Sequence, residues 1–117
     1  MELVEADLMN EESLVSAIAG STYVVHLASP FFMSKNEEDL IPPAVNGTTY
    51  VMKACQAAGV KRCVITSSCA SVQNLAQADK PADRTFNERH WSNPDRPEGL
   101  SAYPKSKVLA EKAAWDF

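Results

Sequence analysis

Apolar and polar positions fall along this chain in blocks of two kinds, short runs with strand character and longer stretches with helical spacing. Glu2-Leu3-Val4-Glu5-Ala6 has the alternation of a short strand ending at Asp7-Leu8. Asn10 precedes a helical pattern reaching about Ala19, with Leu14, Ala17 and Ile18 on its buried side and Gly20 as its stop. Thr22-Tyr23-Val24-Val25-His26-Leu27-Ala28 is nearly unbroken in its apolar character, the pattern of a strand covered on both faces, and Ser29-Pro30 ends it. Residues 31–39 read as loop, and Pro42-Pro43 marks either a break or the start of the next helix. From Ala44 to Ala58 the positions Ala44, Thr48, Val51 and Cys55 keep helical spacing, and Gly59 closes that helix. Residues 62–68 form a second buried strand running into a polar end. Residues 73–99, broken by Pro81, Pro94 and Pro97, form a surface loop before a last helix opens at Ser101.

Strands alternating with helices demand parallel pairing and right-handed crossovers, hence an α/β sheet of the doubly wound kind. Ligands of such sheets sit beyond the carboxyl ends of the strands. Asp7, Ala28-Ser29-Pro30 and Thr66-Ser67-Ser68 all lie at those ends, and so does the start of the last helix if it follows the last strand. Four polar clusters therefore converge on one edge.

Composition narrows the classes. A chain of 117 residues suffices for one small domain and not for two. A net charge of −4 with no basic stripe argues against nucleic acid as a partner. No apolar run is long enough to span a bilayer, and the acidic start from Met1 to Asp7 is unlike a signal peptide, so no membrane association is expected. Cys55, Cys63 and Cys69 are odd in number and lack zinc-type spacing, which reads as reduced thiols in the cytoplasm and no metal site.

The candidate chemistry begins in Ser101-Ala102-Tyr103-Pro104-Lys105-Ser106-Lys107. Ser101 is a fair N-cap, and Pro104 is tolerated in a first turn, where its missing N–H has no helical partner. Tyr103 and Lys107, four apart, share one helix face. A free phenol, with a pKa near ~10, is a poor proton shuttle at neutral pH, but an ammonium one turn away favours its phenolate. Such a pair can hand a proton to a carbonyl oxygen or take one back. With Ser68 at a strand end, a hydroxyl, a phenol and an ammonium can meet at one spot. The same residues also have plain readings: Tyr–Lys pairs decorate solvated helices, and strand-end serines bond loop amides.

The set Val64-Ile65-Thr66-Ser67-Ser68, Phe86-Asn87-Glu88-Arg89-His90-Trp91, Tyr103-Pro104-Lys105-Ser106-Lys107 and Ala110-Glu111-Lys112-Ala113-Ala114-Trp115 resembles the extended short-chain dehydrogenase/reductase superfamily. Ala6-Asp7-Leu8, Val25-His26-Leu27-Ala28-Ser29-Pro30 and Val45-Asn46-Gly47-Thr48 fit in order upstream. The likeness is nearest to the dihydroflavonol, cinnamoyl-CoA and methylglyoxal-aldehyde reductases. It implies a three-layer Rossmann-like αβα fold in which residues 1–117 are the central part of one NAD(P)-binding domain. It implies an oxidoreductase that transfers hydride between NADP(H), more than NAD(H), and a small-molecule carbonyl or alcohol. Ser68, Tyr103 and Lys107 would be its catalytic triad. Asp7 and Leu8 would border the adenine, Ala28 and Ser29 the nicotinamide side, and Asn46 would support the lysine.

The resemblance has gaps. Gly20, Gly47, Gly59 and Gly99 are scattered and never form the Gly-rich turn that holds a pyrophosphate. The domain is therefore expected to be incomplete at both ends, a fragment lacking that turn and the later substrate region. Two alternatives stay open: a truncated product acting only by association, and a 3β-hydroxysteroid dehydrogenase or sugar-nucleotide epimerase/dehydratase of the same superfamily. Glu88-Arg89-His90-Trp91 favours the reductases. The helices at 44–58 and 101–117 are candidates for a homodimer face. His26, Trp91 and Trp115 read as core and packing residues, and Glu37-Glu38-Asp39 as a solvated face.

Overall fold

The computed structural model describes residues 2–32, 34, 36–95 and 99–117. The parts of the expected loops at Met33, Lys35 and 96–98 lie outside the described residues.

Helix α1, Glu11–Ile18, starts where its cap predicts, the Asn10 carboxamide accepting from the Ser13 N–H at 3.1 Å. Gly20, at φ 74°, takes the chain out of it in a left-handed conformation that L side chains avoid. Strand β1, Tyr23–His26, pairs in parallel with β2, Arg62–Ile65, in the register Tyr23 with Arg62 and His26 with Ile65. Between them runs α2, Glu37–Ala57. After β2 come the single turn α3, Ala70–Gln73, and a 3₁₀ turn at 77–79. The last helix, α4, is Ala102–Trp115.

Two apolar seams hold these elements. Leu14 and Ile18 of α1 bury against Val51, Ala54 and Cys55 of α2, with Val24 and Cys63 of the sheet packed on them. Burial pushes the Cys55 thiol up to about 11, with the neighbouring Cys63 adding to the shift. The other seam joins α2 to α4, the most extensive contact in the fold, with Leu40 and Val108 fully buried. Each such side chain contributes about 1.5–3 kcal/mol.

Several expectations change. Helix α2 begins at Glu37, ahead of Pro42 and Pro43, which lie inside it. Two interior prolines remove two helical hydrogen bonds. The acidic first turn Glu37-Glu38-Asp39 suits the positive helix start, and the burial of Leu40 and Ala44 on either side of the prolines offsets the loss. Residues 2–6 form no strand, and Leu3 is 87% exposed. A strand exists only where a neighbour takes its backbone bonds, and in the doubly wound order the strands on either side of the chain reversal are not lateral neighbours. Among the described residues nothing pairs with this stretch.

The parallel α/β sheet is as predicted, but among the described residues β1 and β2 are covered on one face only. Val24, His26, Cys63 and Ile65 point to the helices, while Tyr23, Val25, Leu27 and Val64 stand 51–68% exposed. Trp115 is exposed as well, against the packing role read for it.

Candidate functional site

The site is built at the carboxyl ends of β1 and β2, where α4 crosses them. Because β1 and β2 are parallel and in register, Ala28-Ser29 and Thr66-Ser67 emerge side by side. The Thr66 N–H donates to the His26 carbonyl at 3.0 Å and carries the pairing one residue past the strand. Helix α4 starts with Ser101 in extended backbone at its cap position, although the Ser101 hydroxyl makes no capping bond. Pro104 occupies the third helical position, where no N–H is needed.

One turn into α4, Lys107 is drawn under the strand ends and is only 7% exposed. Its Nζ donates to the Ser29 hydroxyl at 3.4 Å, and among the described residues it forms no ion pair. A small hollow of about 20 Å³ gathers Lys107 with Ala28, Ser29, Thr48, Ser67 and Glu111. Burial pulls the Lys107 ammonium below the usual lysine range, and the Glu111 carboxylate one turn further along opposes that shift. His26 stands on the same wall, 8% exposed, and burial followed by the charge of Lys107 holds it below the ordinary histidine value. It is a buried core histidine, as its place on the strand predicts.

Tyr103, one turn before Lys107, is half-buried and meets the edge of Phe31 at 5.6 Å between centroids. Ser68 is half-buried one residue beyond the hollow, and its Oγ accepts from the Ala70 N–H at 3.2 Å at the start of α3. Lys105 donates to both carboxylate oxygens of Glu37 at 3.0 and 2.9 Å, which ties the first turn of α4 to the first turn of α2. Glu37 is thus an ion-pair partner as well as a solvated charge. Trp91 packs under the Lys112 ammonium at 5.7 Å.

Of the residues predicted for this site, the structure brings Ala28, Ser29 and Lys107 into one hollow and leaves Ser68 and Tyr103 outside its lining. Asp7 and Leu8 lie elsewhere, in a turn before α1. The Asp7 carboxylate accepts from the Met9 N–H at 2.9 Å, and Leu8 sits against α2 at Gly47. Asn46 is exposed, and Thr48, two residues on, lines the hollow. The pairing of Ser67 with Glu111 escaped sequence reasoning. Its only local signal was the i, i+4 spacing of Lys107 and Glu111.

The lysine supports a test of fit for a nicotinamide cofactor. Lys107 has three N–H donors and, among the described residues, one protein acceptor, so a buried ammonium faces the hollow with donors to spare. The hollow itself has room for about one water, and a ribose diol lying against it would suit that donor set. No Gly-rich turn for the pyrophosphate occurs in the sequence.

Parallel strands with helical crossovers and a polar site at their carboxyl ends define a Rossmann-type α/β protein. The pattern of the 3-beta hydroxysteroid dehydrogenase/isomerase family matches residues 1–116, and the chain belongs to that family. Its relatives carry reductase names. An anthocyanidin reductase of Vitis vinifera is 40% identical across 100% of this chain and 36% of its own length. A dihydroflavonol 4-reductase of Hordeum vulgare is 39% identical over 100% of this chain and 34% of its own. The solved structure of the yeast methylglyoxal/isovaleraldehyde reductase complexed with NADPH superposes with a TM-score of 0.76. It is 35% identical, and the match covers 100% of this chain and 37% of that one. The resemblance read from the motifs is therefore to the right reductases, and the chain spans about a third of the length of the proteins it matches.

Proposed function

We propose that the protein carrying these residues is an oxidoreductase that reduces a small carbonyl compound, or oxidises the matching alcohol, with NADP(H) in preference to NAD(H). One observation carries the reading: a buried lysine with unused donors, at the carboxyl ends of two parallel strands, one helical turn after a tyrosine. NADPH, when bound, supplies the hydride. Tyr103 would give its hydroxyl proton to the carbonyl oxygen, leaving a phenolate on the enzyme and, with the hydride, an alcohol as product. Lys107 stabilises the phenolate electrostatically and donates to the ribose hydroxyls. Ser68 donates to the carbonyl oxygen and polarises it. Ala28 and Ser29 border the nicotinamide, and Asp7 and Leu8 the adenine. The reductase names of the relatives and the NADPH of the yeast structure support the choice of chemistry and cofactor.

The test is NADPH consumption by the full-length protein against a panel of aldehydes, ketones and flavonoid-type substrates, with NADH alongside. Turnover with NADPH that falls at least roughly a hundredfold in Ser68→Ala supports the reading. No consumption with any member of the panel, from a folded protein that fails to bind NADPH, removes it.

A second reading, action by association alone, draws on the bare apolar face of Tyr23, Val25, Leu27 and Val64. It predicts a folded protein that binds no dinucleotide, which the same NADPH titration detects.

A further inference from the structure

Behind the lysine lies a polar chain that the proposed chemistry leaves unused. The Ser67 hydroxyl donates to the Glu111 carboxylate, and the same hydroxyl lies 3.2 Å from the hydroxyl of Ser71, which is fully buried. Ser67 belongs to the end of β2, Ser71 to α3 and Glu111 to α4, so one carboxylate joins three elements. Glu111 stands between two spaces. On one side is the Lys107 hollow. On the other is a larger, apolar cavity of about 250 Å³ bounded by Met52, Cys63, Ile65 and Trp115. A half-buried carboxylate on an apolar wall is costly to keep unless hydrogen bonds and a nearby cation compensate it. Ser67 supplies the bond. Lys107, four residues earlier on the same helix face, supplies the cation without closing into an ion pair.

We propose that Glu111, anchored by Ser67, is a positioning residue for the Lys107 site: it locks the end of β2 to α4 and provides the negative charge that keeps the buried lysine an ammonium. Its function in turnover rests on the oxidoreductase reading above; its effect on Lys107 does not. The groups facing Lys107 are His26 from β1, Thr48 from α2, Ser29 and Ser67 from the strand ends, and Glu111 on its own helix. Tyr103, one turn earlier on the same helix, offers a negative charge only as a phenolate; with the phenol protonated, Glu111 is the compensating charge among the described residues, since His26 adds none when neutral and an opposing one when protonated. Ser67 also precedes Ser68 directly, so the bond to Glu111 sets where the Ser68 hydroxyl stands relative to α4.

Three variants separate the two tasks. Glu111→Gln keeps an acceptor for Ser67 and the side-chain shape but removes the charge. Ser67→Ala keeps the charge and removes the anchor. Glu111→Asp restores the charge on a shorter arm. The readout is the titration of Lys107 by NMR of the ¹³C-dimethylated full-length protein, assigned by the loss of its signal in Lys107→Met. Circular dichroism checks that each variant folds. The expected result is a Lys107 midpoint moved to lower pH in Glu111→Gln, returned part of the way in Glu111→Asp, and little changed in Ser67→Ala. An unchanged midpoint in a folded Glu111→Gln overturns the proposal. In turnover, the alkaline limb of the pH profile should move to lower pH in Glu111→Gln by the same shift, because the ammonium is lost earlier as pH rises. A moved midpoint with no NADPH-dependent turnover would sustain the role of Glu111 and remove the reductase reading. Normal turnover with an unmoved midpoint would do the reverse.

Discussion

Gly47→Ala tests how the turn before α1 is held against α2. Gly47 is buried in the middle of α2, and a β-carbon added there would stand 2.9 Å from both Cβ and Cδ2 of Leu8 and 3.3 Å from its Cγ. The Cδ2 methyl can swing away, but Cβ is fixed to the backbone, so residues 7–8 must retreat from the helix. Overpacking of this kind costs about 1–3 kcal/mol. Replacing a mid-helix glycine with alanine returns about 1 kcal/mol through helix propensity and a less disordered unfolded chain. The net expectation is a loss of about 1 kcal/mol, or roughly 4 °C in melting temperature for a domain of this size. Leu8→Ala removes the colliding carbons beyond Cβ and lets the turn settle with less displacement, so Gly47→Ala made on that background should be neutral or stabilising. Thermal denaturation of the two single variants and the double variant closes the cycle, with a coupling of about 1 kcal/mol or more. A Gly47→Ala protein that melts higher than the parent would refute the contact. If Leu8 borders the adenine as proposed, the same substitution should also weaken NADPH binding.

Other consequences follow from single contacts. Asn10→Ala removes the side-chain acceptor from the Ser13 N–H and should cost about 1 kcal/mol in chemical denaturation, whereas Asn10→Asp should cost little. Leu40→Ala empties a fully buried position between α2 and α4 and should destabilise by about 2–5 kcal/mol, a loss read in the same assay. His26 is held below the ordinary histidine value by burial and by Lys107, so the unfolded chain takes up a proton before the folded one does. The His26 contribution to stability should therefore be constant above about pH 6.5 and fall as the pH drops below it, and His26→Gln should flatten that part of the melting-temperature profile. Lys107→Met removes a buried charge drawn below the lysine range mainly by burial, and should raise the melting temperature while reducing NADPH affinity.

Local signals were readable in the sequence, and distant pairings were not. Asn10, Gly20 and Gly59 announce helix ends through bonds within a few residues, and α1 and the end of α2 lie where those residues put them. Tyr103 and Lys107 share a helix face for the same short-range reason. Pro42-Pro43 misplaced the start of α2 because proline propensity is local, while the burial of Leu40 and the packing of α2 on α4 are tertiary and leave no local signal. The apolar run of β1 predicts cover on both faces, and the described residues cover one. Residues 2–6 have strand composition and no strand partner. Ser29 meets Lys107 across 78 residues and Ser67 meets Glu111 across 44, so neither bond leaves a periodic trace in the chain. The resemblance assigned Ser29 and Lys107 to one site without pairing them, and both bonds came from the structure.

The most direct test of the account is one experiment on the full-length protein: NADPH affinity and turnover measured together for the parent and Tyr103→Phe. Phenylalanine keeps the ring against Phe31 and removes only the proton that the carbonyl oxygen is meant to receive. Turnover is predicted to fall by roughly 10²–10⁴-fold with NADPH affinity nearly unchanged. A Tyr103→Phe protein that turns over at close to the parent rate would contradict the assignment of the proton donor and the site built around it.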